Sequence, residues 1–334
     1  SLLAHANSVL QSICDVDDKD RLNAAALLSN CGWFLDLQGV YEEAEAMHRR
    51  DLEGSEKVLG REHPDTLTSV SNLGSVLSRQ GKYDEAEAMH RRDLEGSEKV
   101  LGREHPDTLA SVNNLGLVLD NQGKYDEAEA MHRRNLEGSD KVLGREHPNT
   151  LTSVSNLGDV LSSQGKYDEA EAMHRRALEA RENVLGREHP DTLTSVNNLG
   201  NVLSSQGKYD EAEAMHRRDL EGSEKVLGRE HPDTLTSVSN LANILSSQGK
   251  YDEAEAMHRR ASEARENVLG REHPDTLTSV SNLGDVLSSQ GKYDEAEAMH
   301  RWALEAREKV LGREHPNTLT SVSKLGNVLS SQGK

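Results

Sequence analysis

The sequence predicts an all-α solenoid of antiparallel helix pairs, and three observations lead to it. The stretch Gly81-Lys82-Tyr83-Asp84-Glu85-Ala86-Glu87-Ala88-Met89-His90-Arg91-Arg92 returns with nearly the same letters every 42 residues, marked by Tyr41, Tyr83, Tyr125, Tyr167, Tyr209, Tyr251 and Tyr293. Pro64, Pro106, Pro148, Pro190, Pro232, Pro274 and Pro316 keep the same period, so no insertion or deletion disturbs the array. Between these landmarks, apolar residues recur at the three- and four-residue spacing of a helix face. A fixed period of this size means that each unit buries its apolar side only against its neighbours. Function is therefore expected on a surface that the units share.

Taken in order, residues 2–16 carry Leu2, Leu3, Ala6, Val9, Leu10, Ile13 and Val16 at helical spacing, where the second helix of a preceding unit would fall. Residues 20–37 match a first helix weakly, because Asn30, Gly32, Gln38 and Gly39 align with Asn72, Gly74, Gln80 and Gly81. Trp33 and Phe34 make this the most aromatic part of the chain, either a divergent unit or a cap. Residues 1–38 are thus set apart from the near-identical repeats of 39–334, the last of which stops after its first helix. From Pro64 onward each unit reads as two helices. Proline suits the first helical position, Asp65 complements the helix dipole, and Leu67, Val70, Leu73, Val76 and Leu77 share one face until Gly81 ends the helix. The second helix is expected to begin at Asp84, with that carboxylate as cap and Glu87 reaching back. Its buried face is predicted as Ala86, Met89, His90, Leu94, Val100 and Leu101, with Gly102 closing it. Short links such as Arg103-Glu104-His105 make neighbouring helices antiparallel, and the count reaches about sixteen.

Composition excludes several classes. Hydrophobic residues at 34% and aromatic ones at 3% are lean for one deep core but suffice for thin layers between helices. A formal charge of -19 argues against nucleic acid, which requires a cationic face. Cys14 and Cys31 are the only cysteines, too few for a disulfide scaffold or a cysteine zinc site. No apolar run approaches the roughly 18 residues of a membrane span, and no signal segment opens the chain, so a cytoplasmic location is expected. A start at Ser1 and a stop at Gly333-Lys334 within a repeat suggest a fragment of a longer intracellular protein.

Fourteen of the fifteen histidines fall into the recurring slots of His90 and His105, without the paired spacing of a zinc site, so no metal and no cofactor is expected. Glu85, Glu87, Arg91 and Arg92 are read as intrahelical ion pairs, worth a few tenths of a kcal/mol each. They appear in nearly every copy, whereas a catalytic centre needs a unique cluster. With no phosphate-loop or nucleophile-elbow motif either, no enzymatic activity is expected.

The pattern Leu73-Gly74, Leu77, Gly81, Tyr83 and Ala86 resembles the tetratricopeptide repeat, from Asn30 to the C-terminus. The 42-residue period and the phrase KVLGREHPDTL are similar to the longer variant of kinesin light chains. Val70 departs from the tryptophan of many such repeats, and His90 from an aromatic. Near-identity between units also resembles the C-terminal arrays of fungal NOD-like receptors, although nothing here resembles their nucleotide-binding switch domain. The resemblance implies a right-handed superhelix whose concave groove, lined by first helices, binds a protein or an extended peptide. Its context would be the ligand-sensing half of a receptor. A kinesin-light-chain-like cargo adaptor and a self-assembling array are the alternatives.

Where near-identical units differ becomes informative. The residue after Leu-Gly or Leu-Ala is Ser75, Leu117, Asp159, Asn201, Asn243, Asp285 and Asn327, and four residues earlier stand Ser71, Asn113, Ser155, Asn197, Ser239, Ser281 and Ser323. These positions share one face of the first helix. Beside them runs the row Asn72, Asn114, Asn156, Asn198, Asn240 and Asn282, broken by Lys324. Such amides either bond the backbone of an extended peptide or satisfy a group of the neighbouring repeat. The expected ligand is polar and not strongly acidic. A second set of differences, Asp93, Asn135, Ala177, Asp219, Ala261 and Ala303 with Ser97, Ser139, Arg181, Ser223, Arg265 and Arg307, is read as drift on a solvated face. Trp302 replaces an arginine, as a contact anchor or as packing. Leu319, Val322, Leu325 and Val328 lack the helix they would pack on, which predicts end-to-end self-association.

Overall fold

The computed structural model describes residues 18–333, so the helix expected at 2–16 lies outside the described residues. Fifteen helices follow one another with no strand among the described residues. The odd-numbered ones are the first helices of the units: α1 (Asp18–Leu37), α3 (Pro64–Arg79), α5 (Pro106–Asn121), α7 (Pro148–Ser163), α9 (Pro190–Ser205), α11 (Pro232–Ser247), α13 (Pro274–Ser289) and α15 (Pro316–Ser331). The even-numbered ones are the second helices: α2 (Tyr41–Leu59), α4 (Tyr83–Val100), α6 (Tyr125–Val142), α8 (Tyr167–Leu185), α10 (Tyr209–Leu227), α12 (Tyr251–Leu269) and α14 (Tyr293–Leu311). The chain forms two compact units that divide within α8, one ending at Met173 and the other beginning at His174. From α1 to α7 and from α9 to α15 each helix packs on the next in sequence.

Local chemistry sets the helix ends. His63 is the N-cap of α3 and its Nδ1 accepts the Asp65 N–H at 3.2 Å, while Pro64 fills the first turn where no donor is needed. His105, His231 and His273 repeat the arrangement, so this histidine slot is a helix cap. At the far end Gly81 has φ +77°, which lets its N–H reach Ser78 O at 3.0 Å and the Lys82 N–H reach Leu77 O at 2.9 Å.

The second helix starts differently from expectation. α4 begins at Tyr83 with Lys82 as N-cap and no side-chain cap bond. Asp84 lies inside the first turn and accepts from Gln122 Nε2 of the next repeat at 3.0 Å. Glu87 accepts from Lys124 Nζ at 2.7 Å and Arg91 Nε at 2.8 Å, so it ties one repeat to the next instead of capping its own helix. With donors this close, chiefly Lys124 and then Arg91, the Glu87 carboxyl is held down at about 2.

Leu67, Val70, Leu73, Val76 and Leu77 are buried as the first-helix core, against Ala86 and His90 of the second helix. The His90 ring covers Gly74 so closely that a Cβ there would stand 2.8 Å from Cε1, which explains the invariant small residue after leucine. Gly32 bears the same relation to His48, with a Cβ at 2.7 Å from Nε2, so α1 packs as the first helix of a divergent unit. Its Trp33 and Phe34 remain exposed. The predicted second-helix face needs correction at its end. Val100 is 44% exposed, and the buried positions in this half of α4 are Asp93, Leu94 and Ser97. Val328 also differs from expectation, since it is buried with Leu283, Leu287 and Ala296, while Leu319 and Val322 stay exposed.

Burial holds His90, His132, His216 and His258 neutral, with pKa values lowered to about 4. Folded pKa values below the ordinary 6.5 mean that the unfolded chain binds more protons between these limits. Stability is thus complete above about pH 6.5 and drains as pH falls toward 4, by about 3 kcal/mol per ring. The Glu87, Glu129, Glu213 and Glu255 carboxyls, lowered to about 2, add a further loss between pH 4.5 and 2. Asp51, Asp93 and Asp219, raised by burial, oppose the trend more weakly by number. Thermal denaturation across pH 4–7 is expected to show a Tm that falls steeply below pH 6.5. A Tm flat down to pH 4.5 would contradict neutral buried imidazoles.

Candidate functional site: the first-helix face and the junctions beneath it

Four asparagines of the row are inter-repeat staples on the first helices. Asn72 Nδ2 donates to Ser29 Oγ at 3.3 Å, Asn114 Nδ2 to Ser71 Oγ at 3.3 Å, Asn156 Nδ2 to Asn113 Oδ1 at 2.7 Å and Asn240 Nδ2 to Asn197 Oδ1 at 2.8 Å. The partner is therefore the position just before the asparagine in the preceding unit, and the two rows form one network. Asn198 and Asn282 keep the same half-buried register. Each primary amide has a second N–H and a carbonyl oxygen in addition to the bond that staples it. Lys324 takes the slot at the end of the row and donates to Ser281 Oγ at 3.2 Å and Asp285 Oδ2 at 2.6 Å.

Above this network the variable positions divide. Leu117, Asp159, Asn201, Asn243 and Asn327 are exposed. Ser75 is half-buried and donates to Ser71 O at 3.0 Å. Asp285 is held between Lys324 and the buried His300, whose Nε2 lies 3.6 Å from its Oδ1. The face thus offers a row of differing side chains on an otherwise uniform scaffold.

The second set of differences is buried, contrary to the expectation of a solvated face. Asp93 is 4% exposed and Arg265 7%. These positions sit at the junction between consecutive units and come in two coupled forms. Asp51 with Gly54 and Ser55, Asp93 with Gly96 and Ser97, Asn135 with Gly138 and Ser139, and Asp219 with Gly222 and Ser223 make one form. Ala177, Ala180 and Arg181, Ala261, Ala264 and Arg265, and Ala303, Ala306 and Arg307 make the other.

In the arginine form, Arg265 Nη1 donates to Ser279 Oγ at 2.5 Å and Ser239 Oγ at 3.3 Å, and Nη2 to Thr236 Oγ1 at 3.0 Å. Arg307 reaches Ser321 Oγ at 2.7 Å and Arg181 reaches Ser195 Oγ at 2.6 Å in the same way. In the acidic form, Ser97 donates to Asp93 at 3.3 Å and Ser223 to Asp219 at 3.4 Å, and burial raises both carboxyls. At two junctions without an arginine the surface opens into cavities between adjacent first helices. One of about 190 Å³ is floored by Asp219 and Ser223, and one of about 210 Å³ by Asn135 and Ser139. Alanine co-occurs with arginine, and Asp or Asn with Gly-Ser, which marks these positions as coupled; their burial shows only once the neighbouring repeat is laid over them.

Trp302 is half-buried, with the Arg271 guanidinium 4.4 Å from its ring centroid. The arginines of the same slot instead pair with a glutamate of the preceding unit, as Arg260 does with Glu224 at 2.6 Å. Trp302 is thus a packing exchange of an ion pair for a cation–π contact. Among the described residues no His, Cys, Asp and Glu group has the geometry to hold a metal, and no helix is long and apolar enough to cross a membrane.

A model of the tetratricopeptide repeat matches residues 23–99, 68–137, 108–183, 153–225, 191–266 and 233–309. The chain belongs to the tetratricopeptide repeat family. Among solved structures, it is similar to a Podosopora anserina protein of the kinesin light chain kind with nearly identical TPR-like repeats, at 26% identity and a TM-score of 0.56 over 62% of this chain and 98% of that one. BtubC of P. vanneervenii matches at 20% identity and TM-score 0.56, over 78% of this chain and 95% of its own. A STAND signal-transduction ATPase of Pyrococcus horikoshii with a tetratricopeptide repeat sensor matches at 13% identity and TM-score 0.63, over 99% of this chain and 49% of its own. No curated protein matches the sequence.

Arg265→Ala tests the junction directly. It removes a buried guanidinium and strands the hydroxyls of Ser239, Ser279 and Thr236 around a new void. The expected cost is about 2–3 kcal/mol, seen as a lower midpoint in urea denaturation of the whole chain. An unchanged midpoint would show that the arginine does not hold the repeats together.

Proposed function

We propose that this tetratricopeptide array is a non-catalytic binding scaffold whose first-helix face takes up an extended peptide or a protein segment. The observation that carries this reading is the contrast along that face. Units that share their apolar first-helix core and their caps differ at exposed first-helix positions such as Leu117, Asp159, Asn201 and Asn243. Packing does not require that variation, while discrimination between ligands does. The stapled asparagines beneath supply an evenly spaced row of amides able to bond peptide backbone of any sequence.

In the fuller reading, the chain is the ligand-sensing repeat domain of a cytoplasmic NOD-like receptor of a fungus, coupled to a nucleotide switch elsewhere in that protein. The uniformity of the units supports this context, and the sensor named in the P. horikoshii protein shares the fold. A cargo adaptor of the kinesin light chain kind is the second reading, supported by the similarity to the P. anserina repeats.

The experiment is a peptide-library screen against the wild type and against a variant with Leu117→Ser, Asp159→Ser, Asn201→Ser and Asn243→Ser. Serine already stands at this position in Ser75, so the variant uses a residue that the fold accepts. Selected peptides are expected to bind the wild type and lose at least about tenfold in affinity, 1.4 kcal/mol, on the variant, with Tm little changed. Equal binding to both proteins, or no binding to the wild type, would reject the face as the ligand surface.

A further inference from the structure

We infer that the junctions floored by Asp51, Asp93 and Asp219 are sockets for arginine side chains of the bound polypeptide. The inference deepens the proposed function and rests on the first-helix face being the ligand surface. The chain itself supplies the template. Where a unit carries Ala261 and Arg265, its own guanidinium enters the junction and is received by Ser239, Ser279 and Thr236. One repeat earlier the corresponding residues are Asn197, Ser237 and Thr194, and all three line the cavity of about 190 Å³. There the arginine has become Ser223, which opens the space, and the alanine has become Asp219, which puts a carboxylate at its floor. At Asp219 the receiving groups are kept, the internal guanidinium is absent, and an anion is added; the same slots hold Ser71, Ser111 and Thr68 at Asp93, and Ser29, Ser69 and Ala26 at Asp51, where the threonine is lost.

Charge favours a cation from outside. Asp51, Asp93 and Asp219 are each at least nine-tenths buried, and no ion pair engages them among the described residues. Oδ2 of Asp51 has no hydrogen-bond partner. Asp107 near Asp93 and Asp233 near Asp219 add like charge, which further raises those carboxyls. A guanidinium offers five N–H donors in a planar fork, enough for the carboxylate and the surrounding hydroxyl and amide oxygens together. An ammonium presents a compact charge that satisfies fewer of these groups in a shallow, wide site. Asn135 provides an uncharged counterpart. Its Nδ2 donates to Leu109 O at 2.5 Å and its Oδ1 accepts from Ser153, so a cavity of similar size there carries no unpaired charge.

The test uses a fluorescent Gly/Ser peptide with arginine at every third position, whose flexible backbone lets each arginine turn toward the face. Versions with citrulline or lysine replace each arginine. They are titrated against the wild-type chain and against a plugged variant whose three sockets receive the residues of the arginine form: Asp51→Ala, Gly54→Ala and Ser55→Arg, and likewise at 93, 96, 97 and 219, 222, 223, with Asn197→Ser. At 93 and 219 the plugged variant uses combinations that the chain already folds with, and at 51 only the threonine that would receive the guanidinium is missing, its slot being Ala26. Wild type is expected to prefer arginine over citrulline by at least tenfold and over lysine by a smaller factor, and the plugged variant to lose that preference. Citrulline or lysine peptides binding as well as arginine, a preference that survives plugging, or no binding of the arginine peptide would overturn the sockets. The neutral library peptides separate the two levels. If they bind through the first-helix face while arginine earns no preference, only the socket inference fails. If no peptide binds at all, the face fails with it.

Discussion

Burial of each apolar face against the next repeat, and against nothing else, is the constraint on which the rest of the structure depends. A helix pair of this length cannot cover its own core, so Leu73, Leu77 and Ala86 are closed off only when the following first helix brings Val118 against them. Because every unit must dock on a copy of itself, most substitutions at the contact have to suit two partners at once. The near-identity of Leu67, Val70, Leu73, Val76 and Leu77 with their counterparts follows from that demand.

Polar bonds then fix the register that apolar packing leaves loose. Glu87 joins Arg91 of its own helix to Lys124 of the next repeat, Arg91 reaches Glu127 at 3.1 Å, and Asn114 reaches back to Ser71. Exposed ion pairs are individually weak, but Glu87 and its equivalents Glu129, Glu213 and Glu255 are largely shielded and shared between two cations. Such shared carboxylates act over every junction where they occur. They explain why a chain of net charge -19 keeps its lysines and arginines in fixed slots.

The junction itself has two solutions to one packing problem. Space between two first helices and a second helix is filled either by a guanidinium that the chain supplies or by a carboxylate that leaves a cavity open to the face. Gly96 belongs to the second solution because a Cβ there would stand 2.5 Å from Leu67 Cδ2. The pairing extends to the first helix, where Asn113 and Asn197 occur only over the open form and serine stands over every arginine. Variation at the half-buried position before the asparagine row is thus coupled to variation beneath it.

Much of the fold was legible in the sequence, since strict periodicity, proline at the helix start and glycine at its end are local signals. Periodicity gave the helix pairs, and the tetratricopeptide family follows from Leu73-Gly74, Gly81, Tyr83 and Ala86. The misplaced cap at Asp84 shows the limit of such reading, because a carboxylate that satisfies a cap rule is claimed instead by Gln122, 38 residues away. The variable first-helix face was also visible, as offsets of three and four. Burial of Asp93 and Arg265 was not, because polar letters at wide spacing look solvated until a third helix is laid over them. The sequence by itself determined the helices, their order and the face on which the units differ. Only the tertiary structure decided which polar residues are taken out of water, because that depends on the neighbouring repeat, which no local pattern contains.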